Sequence, residues 1–199
     1  MRVDGCTAVT DSGGAGLHRG GNGVEKRFVY LEPGHVSIHD DRWLSRPWGV
    51  LGGLPGGRSE KILRRVDGNE QVLPSKCDEV EVSPGDMLIF RTAGGGGWKD
   101  RLDRPVEAVE RDVAFGLVSV EGALANYGVV VGDAAATDAE RARQRSERGD
   151  ALAFDFGPPI QEAIARAEAE TGLPGPAPAK PLRWSPLESP EAAMERARG

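Results

Sequence analysis

Short runs of alternating apolar and polar residues, separated by turn residues, make up much of the first part of the chain. Residues 26–31 and 35–39 are two such runs, and the Pro33-Gly34 pair before the second favours a tight connection. Residues 61–66 and 70–73 flank an Asp-Gly pair, which is typical of a β-hairpin. We therefore predict antiparallel strands with one buried face and one solvent-facing face.

Two further runs extend this pattern. Residues 79–82 alternate acidic and apolar side chains, and a Pro-Gly-Asp turn then leads into residues 87–92. With these runs included, the predicted fold class is mainly β within an α+β organisation. It is a glycine-rich antiparallel β domain, followed by short C-terminal helices and a disordered tail rich in Pro and Ala.

Helical spacing begins only in the second half of the chain. Pro105 is suited to the first turn of a helix over residues 106–115. Ser119 is the predicted N-cap of a second helix, residues 120–126, which Gly128 would end.

Two more helices are predicted nearer the C-terminus. The sequence TDAE, starting at Thr137, matches a capping box and predicts a charge-rich, solvent-exposed helix to about Arg148. Residues 159–171 carry a narrow apolar stripe that ends before Gly172. The stripe consists of Ile160, Ala163, Ile164 and Ala167. Beyond Gly172 we predict disorder.

Glycine and proline divide the chain into parts of different backbone character. Of the 28 glycines, 23 precede Ala136, whereas eight of the 14 prolines lie at or beyond Pro158. Glycine-dense sequence with short apolar runs indicates tight β turns, and proline-dense sequence with alanine indicates an extended tail. We predict a β-rich domain over 1–135, a helical appendage over 136–172 and a flexible tail over 173–199.

Charge and cysteine content narrow the class of protein. The net charge of −6 argues against nucleic acid as a main partner. No apolar run approaches the roughly 18–20 residues of a membrane span, so we expect no membrane association. Cys6 and Cys77 lie far apart and form no CxxC pair, which is typical of reduced thiols in a cytoplasmic protein.

Three glycine clusters are candidate ligand loops. A phosphate-binding P-loop requires Lys and Ser/Thr after its last glycine, but Trp98 and Lys99 follow the third cluster. None matches the dinucleotide-binding pattern GxGxxG either. We predict instead that these glycines take a positive φ or let the backbone approach another segment closely. The candidates are Gly13, Gly14, Gly20, Gly21, Gly94, Gly95, Gly96 and Gly97.

The histidines invite a metal hypothesis, with Asp40 and Asp41 nearby. His35 and His39 in one strand would have α-carbons roughly 13 Å apart, too far for one zinc ion. Ordinary surface or turn positions are the default for His18, His35 and His39, so we predict no metal site made by this chain alone. No GxSxG elbow or clustered Cys–His pair indicates a nucleophile, and no catalytic residue is assigned.

The order of the glycine motifs resembles one family. The motifs are DSGGAG at 11–16, RGGNGV at 19–24, DR at 41–42, PWGVLGGLPG at 47–56, PGD at 84–86, TAGGGGW at 92–98, RP at 104–105 with DV at 112–113, GLVS at 116–119 and YGVV at 127–130. Over roughly residues 9–157 the chain is similar to the C-terminal end of the hydantoinase B/oxoprolinase family. Two departures, Ala93 and Lys99, affect the expected path of the last glycine loop.

The resemblance implies a role in ATP-dependent opening of a cyclic amide, 5-oxoproline or a hydantoin. It places ATP and Mg²⁺ on a hydantoinase A-type partner and the divalent-metal ligands upstream in the hydantoinase B-type polypeptide, so this chain would be inactive alone. Arg19, Arg42 and Trp48 would line or brace the shared site, although ordinary salt bridges are an alternative for both arginines. The glycine loops would approach the missing upstream domain, and the uncovered faces would favour self-association.

Two other functions fit the same sequence. The chain could belong to an acetone or acetophenone carboxylase-type subunit that acts on a ketone. It could also be a non-catalytic interaction module that remains after loss of the catalytic portion. A substrate panel with bicarbonate distinguishes the first of these from the hydrolase.

Overall fold

A computed structural model describes residues 1–175 of the chain. Within them are nine strands, four α-helices and a 3₁₀ helix at Arg101–Asp103. The strands are β1 (Arg2–Ala8), β2 (Val24–Val29), β3 (Gly34–His39), β4 (Gly49–Val50), β5 (Glu60–Arg64), β6 (Glu70–Val72), β7 (Lys76–Val82), β8 (Met87–Arg91) and β9 (Phe154–Asp155). The helices are α1 (Val106–Ala114), α2 (Val120–Tyr127), α3 (Ala134–Glu147) and α4 (Ile160–Thr171).

The strands form three antiparallel sheets. The largest has the order β1-β2-β8-β5-β6, and the two smaller sheets pair β3 with β7 and β4 with β9. The predicted fold class, mainly β with short helices toward the C-terminus, is therefore confirmed.

The predicted hairpin at the Asp-Gly pair is present. Strands β5 and β6 pair with Leu63 opposite Gln71, and Gly68 in the turn has a φ of +88°. The Pro33-Gly34 connection behaves differently, because it carries the chain from one sheet into another. Strand β2 pairs with β1 and β8, whereas β3 pairs only with β7. Strand β1 was not predicted, because its side chains are almost all exposed and no buried face marks it in the sequence.

Two apolar clusters stabilise the fold. One lies between the large sheet and the β3–β7 pair, and it consists of Ile38, Leu63, Leu73, Val82 and Leu88. The other joins α1 and α2 to the first glycine segment, and it consists of Ala15, Val109, Val118, Ala123, Tyr127 and Val129. The second cluster explains why two short helices are stable beside the β domain: their apolar stripes are buried against it.

Three of the helices follow their predicted limits. The Ser119 side chain accepts a hydrogen bond from the Gly122 N–H and caps α2, and Gly128 ends α2 in the left-handed conformation. Helix α1 begins after Pro105, and α4 runs up to a left-handed Gly172. In the α4 stripe Ala163 and Ala167 are buried, whereas Ile160 is 47% exposed.

The predicted capping box of the third helix is wrong. Helix α3 begins at Ala134, and the Asp133 side chain accepts a hydrogen bond from the Ala136 N–H. Thr137 lies inside the helix and is buried. Its hydroxyl accepts a hydrogen bond from the Val130 N–H and donates one to the Val130 carbonyl, so it is not free to cap the helix. The predicted division at Ala136 falls within α3 and stays a prediction. Of the predicted tail, residues 176–199 lie outside the described residues.

Candidate functional site

Three glycine-rich segments, residues 12–23, 47–57 and 92–98, pack side by side. Their backbones are joined by hydrogen bonds: the Gly14 N–H donates to the Gly95 carbonyl at 2.8 Å. The Leu54 N–H donates to the Ala15 carbonyl at 2.7 Å, and the Gly97 N–H donates to the Leu54 carbonyl at 2.9 Å. We call this arrangement the glycine core. It satisfies buried backbone groups without a regular sheet.

The glycine core requires residues that lack a β-carbon. A β-carbon at Gly96 would overlap the Trp48 carbonyl oxygen, and one at Gly94 would overlap the Ser12 carbonyl oxygen. The same overlap with backbone atoms occurs at four more candidates, Gly13, Gly14, Gly20 and Gly97. A β-carbon at Gly95 would lie 3.1 Å from the Gly21 nitrogen, which is a tight contact, whereas one at Gly21 would face open space.

The close approach at these glycines joins segments of this chain to one another. None of the eight candidate glycines has a positive φ, so close approach, and not a left-handed turn, is what the structure requires of them. Their predicted contact with an upstream domain stays a prediction.

Arg19 braces the glycine core against α1. Its Nε lies 3.3 Å from Oδ2 of Asp112, and Arg104 donates to the same oxygen at 2.8 Å. Nη1 of Arg19 also donates to the Gly20 carbonyl at 2.8 Å. The guanidinium is thus engaged by a buried carboxylate, which matches the salt-bridge alternative for this residue.

Beside this ion cluster is a buried tyrosine that the sequence patterns did not indicate. Tyr127 is 2% exposed, and its hydroxyl has no hydrogen-bond partner among residues 1–175. Burial raises the pKa of Tyr127 to about 12, so the phenol is neutral at physiological pH. Tyr127 opens the YGVV motif, but its burial could not be predicted from spacing, because the charged groups around it come from distant segments.

Arg42 and Trp48 lie together. The Arg42 guanidinium carbon is 5.7 Å from the centroid of the Trp48 ring, a cation–π distance. The indole also makes edge contacts with Phe156 at 5.1 Å and Phe154 at 6.3 Å between ring centroids. Arg19 belongs to the separate cluster around Asp112, so the three candidate residues form two groups.

A cavity of about 160 Å³ lies beside Trp48. Its walls include Leu44, Phe156 and Ile160 together with the side chains of Arg46 and Arg166. Nε of Arg46 is buried and lacks a hydrogen-bond partner among the described residues. Apolar walls with guanidinium groups suit a ligand that combines an aliphatic or aromatic part with a carboxylate or carbonyl oxygen.

A buried lysine also escaped prediction from the sequence. Lys61 is fully buried in β5, where its ammonium contacts the Asp40 carboxylate and lies 3.0 Å from Oγ of Ser59. Burial lowers the pKa of Lys61 to about 8. This pair ties the end of β3 to the large sheet, and we assign it a structural role.

The histidines do not converge. His39 pairs with Asp78 at 2.9 Å on the surface, and His18 stacks on Trp98 with ring centroids 5.1 Å apart. Residues 1–175 contain no group of three or more His, Cys, Asp or Glu side chains placed to hold a metal ion. The resemblance places the divalent-metal ligands upstream of this region, and that expectation stays a prediction. No helix of this region is long and apolar enough to cross a membrane.

Comparison with known proteins identifies relatives of the glycine-rich region. Residues 1–101 match the family model described as hydantoinase B/oxoprolinase. The beta subunit of caprolactamase from Pseudomonas jessenii is 36% identical over 144 residues, which cover 67% of this chain and 25% of that protein. The B-type polypeptide of a putative D-/L-hydantoinase from Pseudomonas sp. (strain NS671) is 30% identical over 145 residues, with coverage of 72% and 24%.

Solved structures share this fold. The ATP-dependent caprolactamase from Pseudomonas jessenii superimposes with a TM-score of 0.61 at 33% identity, covering 70% of this chain and 26% of that chain. Nucleotide-free acetone carboxylase gives a TM-score of 0.59 at 23% identity, covering 84% of this chain and 27% of that chain. The second likeness shows the fold alone. This chain spans about a quarter of the length of each of these proteins.

Proposed function

The chain belongs to the hydantoinase B/oxoprolinase family, and on that premise we propose that it is the C-terminal module of a hydantoinase B-type subunit. In that role it contributes to the ATP-dependent hydrolytic opening of a cyclic amide such as 5-oxoproline, a hydantoin or a lactam. The observation that carries the proposal is the 36% identity with the beta subunit of a caprolactamase over 144 residues.

The module needs the rest of the subunit for chemistry. The aligned region is about a quarter of each B-type relative. The described residues contribute a closely packed glycine core and the ion cluster around Asp112, and they contain no group of three or more His, Cys, Asp or Glu side chains placed to hold a metal ion. We therefore assign the module a supporting role, with the upstream part of the subunit and a hydantoinase A-type subunit as partners in the cytoplasm.

The proposed reaction explains why ATP is needed. An amide carbon is a poor electrophile, and transfer of the γ-phosphoryl group to the amide oxygen makes it reactive. Water then adds to that carbon, and the ring C–N bond breaks as the nitrogen takes up a proton, which leaves an acyl phosphate. A second water attacks the acyl phosphate and gives the carboxylate and inorganic phosphate. The ATP and divalent metal belong to the complete enzyme, and no step of this scheme is assigned to a residue of this chain.

The hydrolase is favoured over the two alternatives. The B-type relatives that carry hydrolase names are 30–36% identical over most of this chain, whereas the acetone carboxylase likeness, at 23% identity, supports the fold alone. If a substrate panel showed carboxylation of a ketone with bicarbonate, the carboxylase alternative would replace the hydrolase proposal. If the chain were a purely non-catalytic module, adding it would not change the ATP-dependent ring-opening activity of any mixture of subunits.

Reconstitution tests the proposal. The caprolactamase beta subunit of Pseudomonas jessenii, with the quarter aligned to this chain deleted, is mixed with its partner subunit, ATP and Mg²⁺ in the presence or absence of this chain. We expect ATP-dependent opening of caprolactam, measured as amino-acid product and ADP, only when this chain is added. An absence of product with all proteins folded would overturn the proposal.

A further inference from the structure

A cluster of large apolar side chains is exposed beside the glycine core. Trp48 is 47% exposed, Phe154 52%, Phe156 58% and Ile160 47%. We call these four residues the Trp48 surface. Contiguous exposed aromatic residues are unusual on an isolated domain and mark sites where another molecule binds.

The Trp48 surface is held in place by backbone pairing. Strand β4 follows Trp48 directly and pairs with β9, so that Gly49 lies opposite Asp155 and Val50 opposite Phe154. The rings of Phe154 and Phe156 stack with centroids 6.2 Å apart, and both make edge contacts with Trp48. Because the aromatic groups are already ordered, this chain would lose little conformational entropy when a partner binds.

Three arginines adjoin the Trp48 surface, one of which, Arg166, pairs with Glu170 at 3.7 Å. Arg42 lies over the Trp48 ring, and Arg46 and Arg166 line the adjacent cavity. The Nε of Arg46 is buried and lacks a hydrogen-bond partner among residues 1–175. The matching occupant therefore presents an apolar side chain flanked by a carboxylate or carbonyl oxygen.

We propose that the Trp48 surface is the contact through which this module binds the remainder of a hydantoinase B-type subunit, in the same polypeptide or as a separate one. This inference rests on the proposed function. The occupant is argued from the aligned share, because about three quarters of each B-type relative lies outside the region aligned to this chain. The exposed aromatic residues and the adjoining arginines support the Trp48 surface as the place of that contact.

Binding measurements test the surface. The probe is the Pseudomonas jessenii caprolactamase beta subunit lacking the aligned quarter, titrated with the full 199-residue chain by isothermal calorimetry. We expect Trp48→Ala and Phe156→Ala each to weaken binding at least about tenfold, because buried aromatic anchors dominate such interfaces. Matched controls are Trp98→Ala and Phe115→Ala, which remove exposed aromatic residues outside the Trp48 surface and should leave the affinity within about twofold.

The outcomes separate this inference from the proposed function. Binding that Trp48→Ala and Phe156→Ala leave unchanged, with circular dichroism confirming their fold, would overturn the inference and leave the proposed function standing. An absence of binding by the parent chain would overturn both.

A labelling experiment tests whether residues 176–199 of this chain, and not another part of the subunit, cover the Trp48 surface. Hydroxyl-radical labelling of Trp48 and Phe156 is compared between the full chain and a variant that ends at Gly175. We expect equal labelling. Labelling that rises in the shortened chain would show that residues 176–199 cover the surface, and the inference would fall.

Discussion

The α-carbon of Gly96 lies against the carbonyl oxygen of Trp48, so close that a β-carbon would overlap that oxygen. Gly96 comes from the segment after β8, and Trp48 directly precedes β4. The neighbour is backbone, so no side chain can rotate away to make room. Glycine at position 96 is therefore a packing requirement, and this contact places Trp48 at the edge of the glycine core.

A methyl group at Gly96 should destabilise the protein strongly. We expect Gly96→Ala to lower the free energy of unfolding by about 3 kcal/mol or more, because two backbone segments must separate to admit it. Gly21→Ala is the matched control: it meets open space and has no positive φ, so stability should stay within about 1 kcal/mol of the parent. Urea denaturation followed by circular dichroism measures both, and equal losses would contradict the packing requirement.

Removing the left-handed backbone strain at Glu79 should stabilise the β3–β7 pair. Glu79 is exposed, has a φ of +54° and lies where the register of the pair shifts between Val36 and Ile38. We expect Glu79→Gly to raise the free energy of unfolding by about 0.5–1 kcal/mol, because glycine adopts this φ without a steric penalty. Glu79→Ala keeps the penalty and should give no gain. Thermal melts that do not distinguish the two variants would contradict this prediction.

Asp86 should make stability depend on acidic pH. Burial raises the pKa of Asp86, but the Ser83 N–H, Arg65 and the Val66 N–H donate to its oxygens and outweigh burial, so the pKa lies below its usual value. A carboxyl group with a lowered folded-state pKa stabilises the protein above its unfolded pKa of about 4 and loses that contribution as the pH falls through the folded value.

Asp86→Asn should therefore cost about 2 kcal/mol at pH 7, and its deficit relative to the parent should shrink below about pH 4. Urea titrations at a series of pH values measure the deficit. Asp138→Asn, at an exposed position of α3, serves as the control and should stay within about 0.5 kcal/mol throughout. A deficit that stays constant from neutral to strongly acidic pH would show that the charge of Asp86 is not the cause.

The hydroxyl of Tyr127 should be dispensable for stability while its ring is not. Because the buried hydroxyl has no partner among residues 1–175, Tyr127→Phe removes a desolvation cost without breaking a hydrogen bond. We expect a change between zero and a gain of about 1 kcal/mol, against a loss of about 3–5 kcal/mol for Tyr127→Ala. Urea denaturation measures both variants, and a loss above about 1 kcal/mol for Tyr127→Phe would reveal a partner for the hydroxyl.

Local signals in the sequence were sufficient to predict most of the helices and strands. Ser119 and Gly128 mark the ends of α2 because capping depends on residues within one turn of the helix. The Asp-Gly turn between β5 and β6 is local for the same reason. The capping box at Thr137 failed because the hydroxyl bonds Val130 in the preceding loop, which leaves Asp133 to cap α3.

Long-range pairings could not be predicted from the sequence. Asp112 lies 93 residues from Arg19, and no spacing rule connects two side chains so far apart. Trp48 meets Phe154 only because β4 pairs with β9, a ladder of two residues per strand that leaves no periodic signal. The candidates Arg42 and Trp48 came from the family resemblance, and their shared position is a finding of the structure.

A chimeric enzyme tests the proposed role of this module most directly. In the caprolactamase beta subunit of Pseudomonas jessenii, the quarter aligned with this chain is replaced by residues 1–175 of this protein, and ATP-dependent opening of caprolactam is measured with the partner subunit present. We expect substantial activity in the chimera and its loss when Gly96→Ala is added. A folded chimera without activity, or one that Gly96→Ala leaves unaffected, would contradict the proposed role.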